Sequence, residues 1–179
     1  MNAEVIAAFE RLVGPLDDDA RAWAEPALRI QDVPPGHAIT HEGAPPRHMV
    51  LLLEGRARLS KLRPDGAQEV VAYVLPVALL GHASVVGRDD YLMTAMAVDP
   101  SRCLFIAARL LRTRDTDVAC RVSIRLMEAA VLGMSRQLRA VNARLLSIAQ
   151  PGDLVDGLAV DLGSWVLPEA PAPRRDIGC

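Results

Sequence analysis

From about Arg29 to Ala107 the sequence is cut into short apolar runs by turn-forming residues, and this punctuation limits the fold more than any other feature. The runs begin at Ile39 and continue as Met49–Leu53, Ala57–Leu62, Val70–Leu75, Leu79–Leu80, Val85–Val86, Tyr91–Val98 and Cys103–Ala107. Between them stand PPG (34–36), EGAPP (42–46), RPDG (63–66), GRDD (87–90) and DPSR (99–102). Runs this short are strands, and their near-regular spacing with Gly, Pro and Asp turns predicts an antiparallel barrel or jelly roll. Within it, Leu79–Leu80 and Tyr91–Val98 read as two buried strands joined by a polar turn, with His82 on the rim.

Helices flank this region. Val5, Ile6, Phe9, Leu12 and Val13 lie at helical spacing, and Gly14-Pro15 ends that segment. Asp17, Asp18 or Asp19 then caps a second helix over 20–28. After Asp115-Thr116-Asp117, which offers two aspartate caps, one helix is predicted over 117–149. Its apolar residues Ile124, Met127, Val131, Met134, Leu138, Val141, Leu145 and Ile148 are spaced alternately three and four apart. That 3.5-residue repeat is a seam for a second helix, here a homodimer contact. A helix packed only on its own domain shows a wider stripe, and Ala129, Ala130 and Leu132 widen this one. Pro151-Gly152 ends it. Residues 1–150 are thus one domain, and 151–179 form a tail, partly disordered, with a small apolar patch around Trp165.

At 179 residues and 51% hydrophobic content, the chain buries one good core and little more. The net charge of −2 gives no field to attract nucleic acid or an anionic membrane. No apolar run approaches the ~18 residues of a membrane span, and the N-terminus lacks a basic leader pattern. Three cysteines (Cys103, Cys120, Cys179) without a CxxC pair fit a reduced, cytoplasmic protein. Cys103 and Cys120 fall on apolar stretches and read as core; Cys179 is the expected exposed thiol. No GxSxG elbow, carboxylate pair or phosphate-cradling glycine run occurs, so the chain is read as not an enzyme.

Two helices, a β-roll and a long heptad helix, in that order, resemble the cyclic-nucleotide-binding domain of the catabolite-activator (Crp–Fnr) family. The α+β fold implied is an antiparallel β-roll or jelly roll with N-terminal helices and a long C-terminal dimerisation helix. The resemblance runs over roughly residues 10–148 and rests on motifs in the right order. PPGHAITHEG (34–43) resembles the family's glycine-then-Glu-Gly segment, and MVLLLEGRARL (49–59) its strand, glycine, strand signature. Asp65-Gly66 matches a hairpin, LLGHAS (79–84) the start of the phosphate-binding cassette, and RQLRAVNARL (136–145) the dimerisation helix.

In that family the cassette reads Gly-Glu, followed nine or ten residues on by an Arg. The Glu receives the ribose hydroxyl, and the Arg pairs with the cyclic phosphate. Here Gly81 remains, His82 stands at the Glu position and Tyr91 at the Arg position. An Arg–phosphate pair is among the strongest contacts such a site can make, so ordinary cAMP binding is not expected. An alternative is a rebuilt site for a nucleotide-like or other anion, using Gly81, His82, Ala83, Ser84, Arg88 and Tyr91. Arg88 beside Asp89 and Asp90 reads first as a solvated turn.

Other candidates carry less. His37, His41, His48 and His82 lack the partners and spacing of a metal or haem site, so no metal or cofactor is expected. Arg109, Arg112, Arg114, Arg121 and Arg125 form a basic cluster best read as a solvated helix face. The family's regulators follow the long helix with a helix-turn-helix domain, and the Pro- and Gly-rich residues after 150 do not supply one, so no DNA contact by this chain alone is expected. The reading is a regulatory or scaffolding homodimer that acts through a protein partner, without membrane association.

Overall fold

The computed structural model describes residues 2–148, with side chains through residue 143. The chain divides into two compact units, residues 1–134 and 135–179. In the first, helix α1 (Ala3–Val13) is capped by Asn2, whose side chain accepts from the Glu4 and Val5 N–H groups. Helix α2 (Asp18–Ala24) is capped by Asp17, the first of the three aspartates, which receives the Ala20 N–H at 2.9 Å. A single 3-10 turn, Glu25–Ala27, follows.

Eight strands come next: β1 (Leu28–Val33), β2 (Ala38–Thr40), β3 (His48–Glu54), β4 (Ala57–Leu62), β5 (Gln68–Val74), β6 (Ala78–Leu80), β7 (Thr94–Ala97) and β8 (Ser101–Ala107). Helix α3 (His82–Gly87) lies between β6 and β7, and α4 (Arg109–Arg112) follows β8. The strands form two four-stranded antiparallel sheets, ordered β1-β8-β3-β6 (sheet A) and β2-β7-β4-β5 (sheet B). Apart from the β4–β5 hairpin, the chain alternates between the sheets, the jelly-roll arrangement expected from the turn spacing. Strand β1 is missing from that expectation, and the helix expected over 20–28 is shorter. Pro26 and the extended Leu28 end the helix early.

Instead of one core there are two, with sheet A between them. Met49, Leu51, Leu104 and Ile106 project to the side of α1 and α2, where Phe9 is fully buried among them. Val50, Leu52 and Cys103 project the other way, into the roll, against Ala57, Leu59, Ala95 and Ala97 of sheet B. Burial pushes the Cys103 thiol up to about 11, with Asp32 adding to the effect, so it is the inert core residue its position implied. Cys120 is also buried; Cys179 lies outside the described residues.

Helix α5 (Asp117–Ile148) starts where the Thr116 hydroxyl accepts the Ala119 N–H at 3.1 Å, so the cap is the threonine between the two aspartates. Its first half buries Ala119, Val122, Leu126 and Ala130 in the helical core. Of the basic cluster, Arg121 pairs with Asp17 at 3.1 Å and Arg125 donates to the Pro15 carbonyl. The second unit contributes the rest of α5 to the described residues, and the tail from 151 lies outside them.

Gly55, between β3 and β4, has φ +88°, and a Cβ there would sit 2.3 Å from Ser101 Oγ and 2.6 Å from the Pro100 carbonyl. A Gly55→Ala substitution is expected to destabilise the fold by about 2–4 kcal/mol, from a left-handed backbone and a backbone clash together. Urea denaturation of the variant checks this.

Candidate functional site

The candidate site begins where β6 stops. Leu80 pairs with Val50 of β3, and Gly81 then turns the chain with φ +69°, a conformation glycine adopts without penalty. The residues after it do not make a strand or a turn. They form α3, because Ser84 and Val85 are buried on one side while Gly87 and Arg88 end the helix in the open, Arg88 itself at φ +63°. His82 is therefore not on the rim. It is 3% exposed.

Tyr91 closes this segment from the other end. Its N–H donates to the Ala44 carbonyl and its own carbonyl accepts from the Gly43 N–H, each at 2.9 Å. Its hydroxyl donates to the His48 carbonyl at 2.7 Å and accepts from the His48 N–H at 3.3 Å. The ring stands so close to Gly81 that a Cβ there would meet its Cε1 at 2.7 Å. Burial raises the phenol's pKa, and the hydrogen bond from the His48 N–H opposes that only partly, so Tyr91 is neutral and fully used. Nearby, the Ser84 hydroxyl accepts the Leu92 N–H at 3.3 Å.

His82 points to α5. Its ring abuts Gly133, where a Cβ would stand 3.4 Å from Nε2 and 3.6 Å from Cδ2. A methyl group there would make ordinary contact with the ring, so the packing itself does not require glycine, which costs about 1 kcal/mol in helix propensity relative to alanine. Neither ring nitrogen has a hydrogen-bond partner. The Leu79 main chain opposes the effect of burial without completing a bond, and the ring's pKa is held below 6.5.

Residues 30–113 match the family model described as the cyclic nucleotide-binding domain. Solved structures agree in fold. A protein of Geobacter metallireducens GS-15, described as cyclic nucleotide-binding, aligns with a TM-score of 0.63 at 22% identity, over 77% of this chain and 99% of its own. The catabolite activator protein of Thermus thermophilus aligns with a TM-score of 0.57 at 20% identity, over 75% of this chain and 61% of its own. The sensor domain of the transcriptional regulator DNR from Pseudomonas aeruginosa aligns with a TM-score of 0.55 at 15% identity, over 80% of this chain and 95% of its own. No curated protein matches the sequence.

Within the matched segment, Gly81, His82, Ser84 and Tyr91 are brought together, with Ala83 half-buried beside them. Arg88 is exposed in the turn after α3. The seam residues divide: Ile124, Val131, Leu138 and Val141 are each at least 50% exposed, Met134 is half-buried, and Met127 packs partly into the helical core. The side chains of Leu145 and Ile148 lie outside the described residues. Sequence reasoning missed Gly133, whose only signal was a glycine inside a strong helical repeat. Among the described residues, no three His, Cys, Asp or Glu side chains gather as metal ligands, and no helix is long and apolar enough to cross a membrane.

Below pH 6.5 the unfolded chain protonates His82 while the folded ring resists it, so the unfolded state binds more protons and stability falls as pH is lowered. The loss ends once the folded ring's depressed pKa is passed. His48, also lowered by burial and by Arg47, contributes in the same direction. A His82→Leu variant is expected to show a shallower loss of stability below pH 6.5 and a higher urea midpoint at pH 7. Denaturation curves from pH 7.5 to 5 measure both.

Proposed function

We propose that this protein is a non-enzymatic regulatory or scaffolding dimer, built on a cyclic nucleotide-binding domain whose cassette does not take cAMP in the usual way. The observation that carries this reading is the Tyr91 ring seated on Gly81 with its hydroxyl bound to the His48 main chain. In the family the resemblance points to, that position holds the arginine that pairs with the phosphate. A neutral tyrosine with both hydrogen-bonding roles filled offers no charge to an anion. His82, buried and held neutral, cannot replace the carboxylate that receives a ribose hydroxyl.

The dimer part of the reading rests on α5. Ile124, Val131, Leu138 and Val141 continue the three-four spacing and stay exposed while Val122, Leu126 and Ala130 are buried. The helix thus has one face in its own core and a second apolar stripe without a partner in the monomer. A second copy of the same stripe is the partner that a heptad repeat suits. The likeness to a catabolite activator protein and to the sensor domain of a transcriptional regulator supports a regulatory role. Signalling then passes to a protein partner.

A second reading, a rebuilt anion site, is favoured by one feature: Arg88 lies exposed within the same segment. Thermal unfolding with millimolar cAMP, cGMP and cyclic dinucleotides separates the two. A ligand at a hundred times its Kd adds about 2.7 kcal/mol, which moves the melting temperature by several degrees. The expected result is no shift. A shift abolished by Arg88→Gln would establish the rebuilt site instead.

For the dimer, Leu138→Glu is expected to give monomers on light scattering after size exclusion, because it places a charge in the seam. A variant that stays dimeric would remove α5 from the interface.

A further inference from the structure

We propose that the groove at the end of sheet A where β1 and β3 start and β8 stops binds a small aromatic carboxylate. The register of sheet A defines this place. Phe105 pairs with Arg29 on one side and Val50 on the other, and Cys103 pairs with Gln31 and Leu52. Residues directly opposite in an antiparallel pair project from the same face. Val50, Leu52 and Cys103 belong to the roll's interior core. Arg29, Gln31 and Phe105 therefore continue that inner face outward, and His48, paired with Ala107, joins them.

Where the core stops, a cavity of about 450 Å³ opens, lined by Leu28, Arg29, Gln31, His48, Phe105 and Ala107 among others. Its size falls in the range of small-molecule sites. The Phe105 and His48 rings stand at 86° with centroids 6.0 Å apart. Two rings at right angles make a corner that a third, planar ring packs into with edge-to-face or offset contact.

The polar groups at this corner select charge. The lining contains one guanidinium, Arg29, and no carboxylate. Arg47 lies near enough for its charge to act on His48. A planar carboxylate accepts two parallel hydrogen bonds from a guanidinium, and the Gln31 amide supplies a further donor. An aromatic ring on the Phe105 side with its carboxylate toward Arg29 and Gln31 satisfies both halves of the cavity. The site meets the cassette only at His48, whose main chain Tyr91 holds, and includes no residue of the stripe on α5, so it stands or falls independently of the dimer reading.

The test is a titration of the full chain, ¹⁵N-labelled, with benzoate and then with benzamide, its neutral analogue. Saturable shifts confined to residues 27–31, 48 and 103–107 are expected with benzoate, with a Kd on the order of 0.1–1 mM for a ligand this small. Benzamide should bind at least tenfold more weakly. Arg29→Gln, an exposed position whose change leaves the fold intact by circular dichroism, should weaken benzoate at least tenfold, while Arg88→Gln should not. No saturable shift below 10 mM, equal binding of benzamide, or binding unchanged by Arg29→Gln would each overturn the proposal.

Discussion

Strands β3 and β8 lie next to each other in the middle of sheet A, and each is buried on both faces. Along β3 the side chains Met49 and Leu51 go to the helices, and Val50 and Leu52 to the roll. Strand β8 divides in the same way, with Leu104 and Ile106 on one side and Cys103 on the other. A fully buried aliphatic side chain contributes about 1.5–3 kcal/mol, so this pair ties the two cores to one sheet. A slip of one residue in its register would exchange the two sets of side chains. The helices α1 and α2 and the strands of sheet B thus depend on one alignment.

The cassette is fastened to this pair. Leu80 pairs with Val50, Gly81 turns the chain, and the Tyr91 hydroxyl holds the His48 main chain at the start of β3. From there the packing continues through His82 to Gly133. The inner face of α5, with Val122, Leu126 and Ala130 buried, is therefore set partly by the same contacts that fill the cassette. Its outer stripe follows from helix geometry, since residues seven apart in sequence return to nearly the same side.

Much of this was legible in the sequence, and the failures have physical causes. Turn residues announced the roll, because Gly, Pro and Asp act locally and need no tertiary context. The three-four spacing announced α5 and its outer stripe. What the spacing could not separate was the inner face: Val122, Leu126 and Ala130 make a second stripe on the same helix, and Met127 lies between the two. Strand β1 was lost because its burial is one-sided and irregular, with Arg29, Gln31 and Asp32 exposed. Helix α3 was lost because six residues are too few for periodicity, so Val85–Val86 read as a strand. At the site, the resemblance located Gly81, His82 and Tyr91, but nothing in the sequence said that His82 is buried. That depends on Gly133, fifty-one residues further on, and on a contact that no local pattern encodes.

On the reading proposed above, a tyrosine rather than an arginine at position 91 changes what this segment needs in order to fold. An arginine held at a buried position without an anion leaves an unpaired charge, which is costly in a low-dielectric site. A tyrosine at the same place buries its ring and gives both roles of its hydroxyl to one backbone residue. The segment then folds completely on its own contacts, apart from the imidazole of His82, whose nitrogens remain without partners. On the reading proposed above, the position of α5 is fixed by folding, and the apolar stripe is presented whether or not a nucleotide is present. Regulation must then act at a place where the packing is still incomplete. Two such places are described: the unpaired His82 beneath Gly133, and the groove at the end of sheet A, whose wall includes the residue that Tyr91 grips.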